Sequence, residues 1–468
     1  MNRYLCILVF LLGLPYASSQ EMQLLKGRIT DSVPLDAAPS ETYAIYLPSS
    51  FEVNKKWPLL FVFEPEGKGR NAVSVFRKMA ERDGYIVVSS NAIGNGVISE
   101  NLKAFDRLSG EVFKKLPIDP RRVYTAGLAG GARLATSVAI ATKKMDGVIA
   151  CGALFSSDPS TFPRLRKTYF IGITGEEDYN YAEMRWAHDY MSQNSIPNEL
   201  FIFEGGNEWP PQHIIERVFD AIKLRLMKRE VLPVNMDTVT AQYNRKYKAV
   251  AKMLQINKKV RAVEMLEDMR KNYKPFFDTD SIRKQIRALK KDKVYRTSLY
   301  RENKALINES DLRINYIELL LEDLEKIEMD KLGWWEFENK RLDSLVKDTD
   351  PYKSKMGKRL KSLLYAAGKE AASGFKGDKE TEEWLFIQIF TSLANPEDTE
   401  VLMEIIQYAT KKVSYDIALY YTELLFKTGF QDLEKFESLE GASLFFLSPE
   451  YAELKEKYFS VPAKSNDG

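Results

Sequence analysis

The sequence predicts an α/β domain, with a doubly wound and mostly parallel sheet, followed by an all-α region of paired, repeat-like helices. Three observations carry that expectation. Short β-branched runs alternate with helical patterns from about residue 41 to 230, the grammar of a parallel sheet covered by helices on both faces. Several of those runs are apolar at successive positions, as strands buried on both sides are. After about residue 231 the strand signals nearly vanish and long amphipathic stretches take over.

In chain order the expected strands are YAIYL, PLLFVFEP, YIVVSS, RVYTAG, GVIACGAL, TYFIGITG and LFIFEGG. They are short, rich in aliphatic and aromatic residues, and mostly flanked by turn residues. The expected helices between them are SVFRKMAERDG, FDRLSGEVFKKL, ARLATSVAIATKK, YAEMRWAHDYMSQN and PPQHIIERVFDAIKLRLMK. In the second half, YNRKYKAVAKMLQINKKVRAVEMLEDMRKNY reads as two helices joined at an Asn257 turn, and VSYDIALYYTELLFKTGFQDLEKFESL as another pair broken at Gly429. Between them LRINYIELLLEDLEKIE and TEEWLFIQIFTSL are amphipathic, with Asn395-Pro396 as punctuation. The expected division is a signal segment at 1–19, an α/β domain at 20–230 and a helical domain at 231–468.

With 468 residues the chain exceeds one ordinary domain, and 44% hydrophobic content supports real cores. Lys+Arg 68 against Asp+Glu 66 argues against a nucleic-acid binder, which concentrates basic charge. The first residues, MNRYLCILVFLLGLPYASSQ, have a basic start at Arg3, an apolar core and small residues at Ala17 and Ser19, the pattern of a cleaved secretory signal. No later apolar run is long enough to span a membrane, so an exported protein without a transmembrane segment is expected, periplasmic, outer-membrane associated or secreted. Cys6 precedes the apolar core, too early for a lipobox. Cys151 is then the only cysteine left, a buried packing thiol.

One short stretch carries the chemistry. In TAGLAGGARLA, residues 125–135, a strand leads through a Gly-x-Ala-x-Gly turn into a helix, the setting in which a serine hydrolase presents its nucleophile. Gly127, Gly130 and Gly131 supply the turn, and Ala129 stands at its apex. Residues 41–229 resemble the α/β-hydrolase family of the small esterase and depolymerase-like kind. The resemblance rests on four features in the family's order: FEPEGKGRN as oxyanion loop, the turn at Ala129, ITGEEDYNYAEM as acid loop and FEGGNEWPPQ as histidine loop. It implies that Gly67 and Gly69 turn backbone amides toward a pocket, with Glu64 and Glu66 opposing an anion there. It places Asp178 at the triad carboxylate and Asn207 where the family carries its histidine. An alanine has no oxygen to attack a carbonyl and an asparagine amide has no useful proton affinity near neutral pH. The matched change at Ala129 and Asn207 predicts that no catalytic triad is intact.

Relocated chemistry has little to draw on. Ser137 lies along the following helix. His188 sits within a helix pattern, and His213 lies six residues past the family position, beyond Pro210-Pro211. Glu176, Glu177 and Asp178 lack a matching set of metal ligands, and no phosphate or dinucleotide loop is present, so no metal or cofactor is expected. The helical half resembles tetratricopeptide-like repeats, most clearly over 414–458. That resemblance implies a surface for protein partners, with Trp334-Trp335 and Phe445-Phe446 as contact anchors or core residues.

The resulting expectation is an exported, catalytically inactive hydrolase-like protein acting as a binding or scaffold subunit of a cell-envelope complex, its protein partners held by the helical domain. The alternatives are an active esterase-type hydrolase with relocated groups, or a carbohydrate- or acyl-binding protein using the cleft, which side chains such as Trp209 would otherwise fill.

Overall fold

The computed structural model describes residues 24–156 and 158–459; the expected signal segment lies outside the described residues. The first half is built on a sheet of eight strands: β1 (Ile29–Leu35), β2 (Ala38–Tyr46), β3 (Trp57–Phe63), β4 (Ile86–Ser90), β5 (Ile118–Leu128), β6 (Gly147–Cys151), β7 (Tyr169–Gly175) and β8 (Asn198–Phe203). Their spatial order is β1-β2-β4-β3-β5-β6-β7-β8. Pairing is parallel from β4 through β8, and only β1 and β2 run antiparallel to their neighbours.

Burial on both faces explains the apolar runs: every residue of β3, β4, β6 and β7 is buried. Helices α1 (Gly69–Asp83) and α5 (Gln212–Lys228) cover one face, where Phe76, Met79, Val218 and Ile222 meet Val62, Val87 and Ile171. On the other face α2 (Ile98–Lys115), α3 (Gly130–Thr142) and α4 (Tyr181–Gln193) bring Phe105, Leu108, Val138 and Met184 against Phe61, Val88 and Val148. The doubly wound sheet expected from the alternating pattern is therefore present.

One strand has no counterpart in the sequence reading. ITDSVPL, which forms β1, contains Asp31, Ser32 and Pro34, none of which favours a strand. It is an edge strand, where proline's missing N–H goes unpunished, and the register shifts between Thr30 and Val33 around Ser32 at φ 56°. Val33 and Leu35 are its buried apolar residues, and Ile29 packs partly buried against the other face's core.

The second half is helical: α6 (Met236–Gln255), α7 (Lys259–Tyr273), α8 (Asp280–Lys291), α9 (Lys293–Lys326), α10 (Lys331–Val346), α11 (Pro351–Gly374), α12 (Glu382–Ala394), α13 (Thr399–Lys411), α14 (Tyr415–Lys427), α15 (Leu433–Glu437), α16 (Ser443–Phe446) and α17 (Pro449–Phe459). Asn257, at φ 57°, turns α6 into α7, and Gly429, at φ 84°, ends the α14 segment, as their sequence positions led us to expect. The apolar residues form three successive clusters, centred on α7, on α10 to α11, and on α13 to α14. Helix lengths run from 34 residues in α9 to 4 in α16, without a fixed period. Among the described residues no helix is long and apolar enough to cross a membrane.

The halves share an element. Ile214, Val218 and Ile222 of α5 pack on the sheet, while Leu224 and Met227 of the same helix belong to the first cluster of the helical region. Trp335 is fully buried and its Nε1 donates to Asp323 Oδ2 at 2.8 Å, and Phe445 is likewise in the core, whereas Trp334 is exposed. Cys151 is buried, and burial pushes its thiol well above the ordinary range, with the Asp178 charge adding to the effect.

Candidate active site

The parallel strands end along one edge, where ligands of such sheets bind. There the register pairs Leu128 of β5 with Cys151 of β6, Cys151 with Ile173 of β7, and Gly175 of β7 with Phe203 of β8. Ala129, Gly152, the acid loop and the loop containing Asn207 follow these positions directly, so the topology gathers residues far apart in sequence.

Ala129 occupies φ 49° and ψ −116°, a conformation that costs an L-residue energy and persists only where the surroundings impose it. The imposition is steric. A Cβ on Gly127 would lie 2.2 Å from Gly131 C, and one on Gly131 would lie 2.2 Å from Phe63 O, so strand, turn and helix touch backbone to backbone. A Cβ on Gly130 would meet Asn95 Oδ1 at 2.1 Å. The Ala129 amide donates to Cys151 O at 2.9 Å. The turn thus has the sharp strand-to-helix geometry of a nucleophile elbow, with a methyl group at its apex.

Asp178 and Asn207 come together as the resemblance implied. Asn207 Nδ2 donates to Asp178 Oδ1 and Oδ2, both at 3.1 Å, and to Gly152 O at 2.9 Å. Asn180 Nδ2 donates to the same carbonyl at 2.7 Å, and the Asn180 amide donates to Asp178 Oδ1 at 2.8 Å. Gly152, at φ 66°, is a glycine because a Cβ there would sit 2.5 Å from Asn207 Nδ2. Burial pushes the Asp178 carboxyl up to about 6, against the pull of the Asn180, Asn207 and Thr174 hydrogen bonds and of Arg313. The asparagine amide supplies the N–H that an imidazole would point at this carboxylate, and has nothing to offer on its other side as a base.

The glycine-rich loop after β3 departs from expectation. The amides of Glu66 and Lys68 donate to Glu64 Oε2, both at 2.9 Å, while Gly67 N donates to Glu64 O at 3.2 Å and Gly69 N to Asn91 Oδ1 at 2.9 Å. The amides of Gly67 and Gly69, expected to face a pocket, are taken instead by the Glu64 carbonyl and the Asn91 side chain, while the Glu64 carboxylate takes those of Glu66 and Lys68.

Other candidates fall elsewhere. Ser137 Oγ donates to Arg133 O at 2.8 Å, along its own helix. His213, exposed at the start of α5, lines a cavity of about 610 Å³ with Arg82, Asp220 and Gln242, between α1, α5 and α6. His188 is half-buried in α4, and burial lowers its proton affinity. Trp209 packs edge-on against Phe76 of α1, 5.7 Å between ring centroids, on the α1–α5 layer of the domain.

The least legible feature is what surrounds the acid loop. Arg359 of α11 donates to Glu176 O at 2.9 Å while its guanidinium forks onto Glu309 of α9, Nε to Oε2 at 2.8 Å, and both side chains are almost fully buried. Lys355 pairs with Glu176, Lys358 donates to Glu177 Oε1 at 2.6 Å, and Arg313 donates to Tyr179 O. Tyr181 O–H donates to Glu302 Oε1 at 2.9 Å, and its ring lies under Arg359, Arg261 and Arg185 at 4.8, 5.7 and 5.7 Å. Beside this contact lies a cavity of about 340 Å³ lined by Glu176, Tyr181, Lys258, Arg261 and Tyr352, its cations matched by carboxylates. No sequence signal joins residue 176 to residue 359, since a pairing over that separation leaves no local pattern.

No protein-family model matches the chain, and no curated protein matches its sequence. Among solved structures, a thermostable esterase is similar at 14% identity, covering 38% of this chain and 59% of that one, with a TM-score of 0.33. A ferulic acid esterase is similar at 19% identity, with 41% and 95% covered and a TM-score of 0.33. S-formylglutathione hydrolase from Staphylococcus aureus is similar at 14%, with 42% and 96% covered and a TM-score of 0.34. This chain thus spans about three-fifths of the first of these proteins. The strand order, the elbow at Ala129 and the loops at the strand ends define the first half as an α/β-hydrolase fold, and an all-helical region follows it.

Proposed function

We propose that the chain is an exported hydrolase-fold protein without hydrolase chemistry, acting as a binding or scaffold subunit of a cell-envelope complex. The observation that supports this best is the Asn207 amide bonded to both Asp178 oxygens and to Gly152 O, beside an elbow whose apex is Ala129. The carboxylate keeps a hydrogen-bond donor, as a triad acid does, while nucleophile and base are both gone. Helical surface for protein contacts comes from α6 to α17, and the opening segment MNRYLCILVFLLGLPYASSQ supports export.

Hydrolysis of short-chain p-nitrophenyl esters tests the chemistry. The expected result is no turnover above buffer by the purified chain, and turnover that Asp178→Ala abolishes would overturn the reading. Ala129→Ser with Asn207→His asks whether only two groups are missing: activity appears if the cleft is open. For the scaffold role, affinity purification of the full chain from envelope membranes recovers a stoichiometric partner, and recovery of the chain alone counts against it. The full chain is required, because Leu224 and Met227 of α5 belong to the helical core.

A further inference from the structure

Helix α9 carries a feature that neither the cleft nor its own core explains. Its buried side chains, Tyr295, Glu302, Ala305, Glu309, Tyr316, Leu320 and Asp323, form one face. On the opposite face Tyr300, Ile307, Ile314 and Leu321 are 66, 64, 55 and 63% exposed. They recur every seven residues. Seven residues fall about 20° short of two full turns, so the row winds slowly round the helix, as a seam does when a second helix coils against it. From Tyr300 to Leu321 the row is about 32 Å long at the helical rise of 1.5 Å per residue. Exposed large side chains scattered singly are ordinary; four in register along one helix are a contact surface.

Charge identifies the occupant. The exposed ionic residues of the N-terminal half, Lys293, Arg296, Arg301 and Lys304, are all basic. Those of the C-terminal half, Asp311, Glu318, Glu322 and Glu325, are acidic until Lys326 at the end. The complement of such a helix is the same helix reversed. We propose that α9 pairs with α9 of a second copy of this chain, antiparallel, about a two-fold axis between Ile307 and Ile314. Ile307 then meets Ile314 of the other copy, and Tyr300 meets Leu321. Along the flanks Lys304 faces Glu318, twice by symmetry. One repulsive contact remains, the two Asp311 carboxylates beside the axis.

Sedimentation velocity on the purified protein tests this, from about 1 μM to about 1 mM, where weak specific dimers titrate. The expected result is a concentration-dependent dimer that Ile307→Glu with Ile314→Glu abolishes while circular dichroism stays that of the parent. Lys304→Glu weakens it about tenfold or more, and adding Glu318→Lys to that variant restores it, which requires the antiparallel register. Asp311→Asn tightens it a few-fold. A chain that stays monomeric throughout, a dimer indifferent to the Ile307 and Ile314 changes, or a charge-swapped pair that fails to recover overturns the proposal. A monomer would leave the row to a helix of another protein.

Discussion

The elbow and the acid loop sit a few strands apart on one sheet edge and differ in what holds them. The elbow is fixed from within its own domain: Gly127, Gly131 and Phe63 meet through backbone, and the strained Ala129 follows from that contact whatever its side chain. The acid loop is bonded within the first half through Asn207, Asn180 and the end of β8, and is held in addition from outside, by Arg359, Lys355, Lys358 and Arg313 of the helical half. The difference shows how the turn and the loop can each keep its geometry independently of its side chains. One part is a steric necessity of joining strand to helix, and the other is also bound to helices of the second half.

Breaking the outer support has the largest expected effect. Arg359→Ala leaves Glu309, which has no exposed surface, without its cation, and removes the donor to Glu176 O. An uncompensated buried charge destabilises by about 3–5 kcal/mol, read as a fall in the thermal midpoint. Arg359→Met together with Glu309→Leu separates the two roles. It removes both charges, so stability recovers substantially, while the contact to the acid loop stays lost. An Arg359→Ala protein as stable as the parent would show that the helical half does not hold this loop.

Breaking the inner support comes next. Gly131→Ala places a methyl group 2.2 Å from Phe63 O, the carbonyl that ends a central strand. The obstacle is main chain and cannot rotate aside, so the cost lies at the upper end for overpacking, about 3 kcal/mol. Denaturant unfolding with an unchanged slope and a lowered midpoint is the expected signature. Ser137→Ala, a few residues along α3, is the control, since Ser137 is half-buried and its hydroxyl bonds only its own helix; its midpoint stays within about 0.5 kcal/mol of the parent.

Both supports differ in how far the sequence announced them. The elbow was legible because glycine spacing, strand pattern and helix pattern lie within a dozen residues, and the pairing of Asp178 with Asn207 could be read from motif order. Strand β1 escaped because its polar and proline residues suit an edge rather than a core. The fate of the Gly67 and Gly69 amides escaped because composition cannot say that the Glu64 carbonyl and a side chain at the end of the next strand, Asn91, lie within reach of them. The Arg359–Glu309–Glu176 linkage escaped because contacts between domains carry no periodicity, and basic or acidic residues in an amphipathic helix read as solvated until a partner is placed against them.

The smallest effect concerns the charge the two supports enclose. Burial raises Asp178 to about 6 in the folded chain, against about 3.9 when unfolded, so the folded state binds the proton more tightly. A carboxyl shifted upward costs stability in its charged form: the cost is absent below about pH 4, grows as pH rises to about 6, and is constant above. Asp178→Asn keeps an oxygen to accept the Asn180 amide and the Asn207 N–H, and removes the charge. Between pH 4 and pH 7 the variant gains on the parent by roughly 2 kcal/mol, seen as a difference in thermal midpoint that opens with rising pH. Parallel profiles for the two proteins would mean that Asp178 titrates as an ordinary carboxylate, held charged by a cation such as Arg313. In that case the acid loop, and not only its backbone, answers to the helical half.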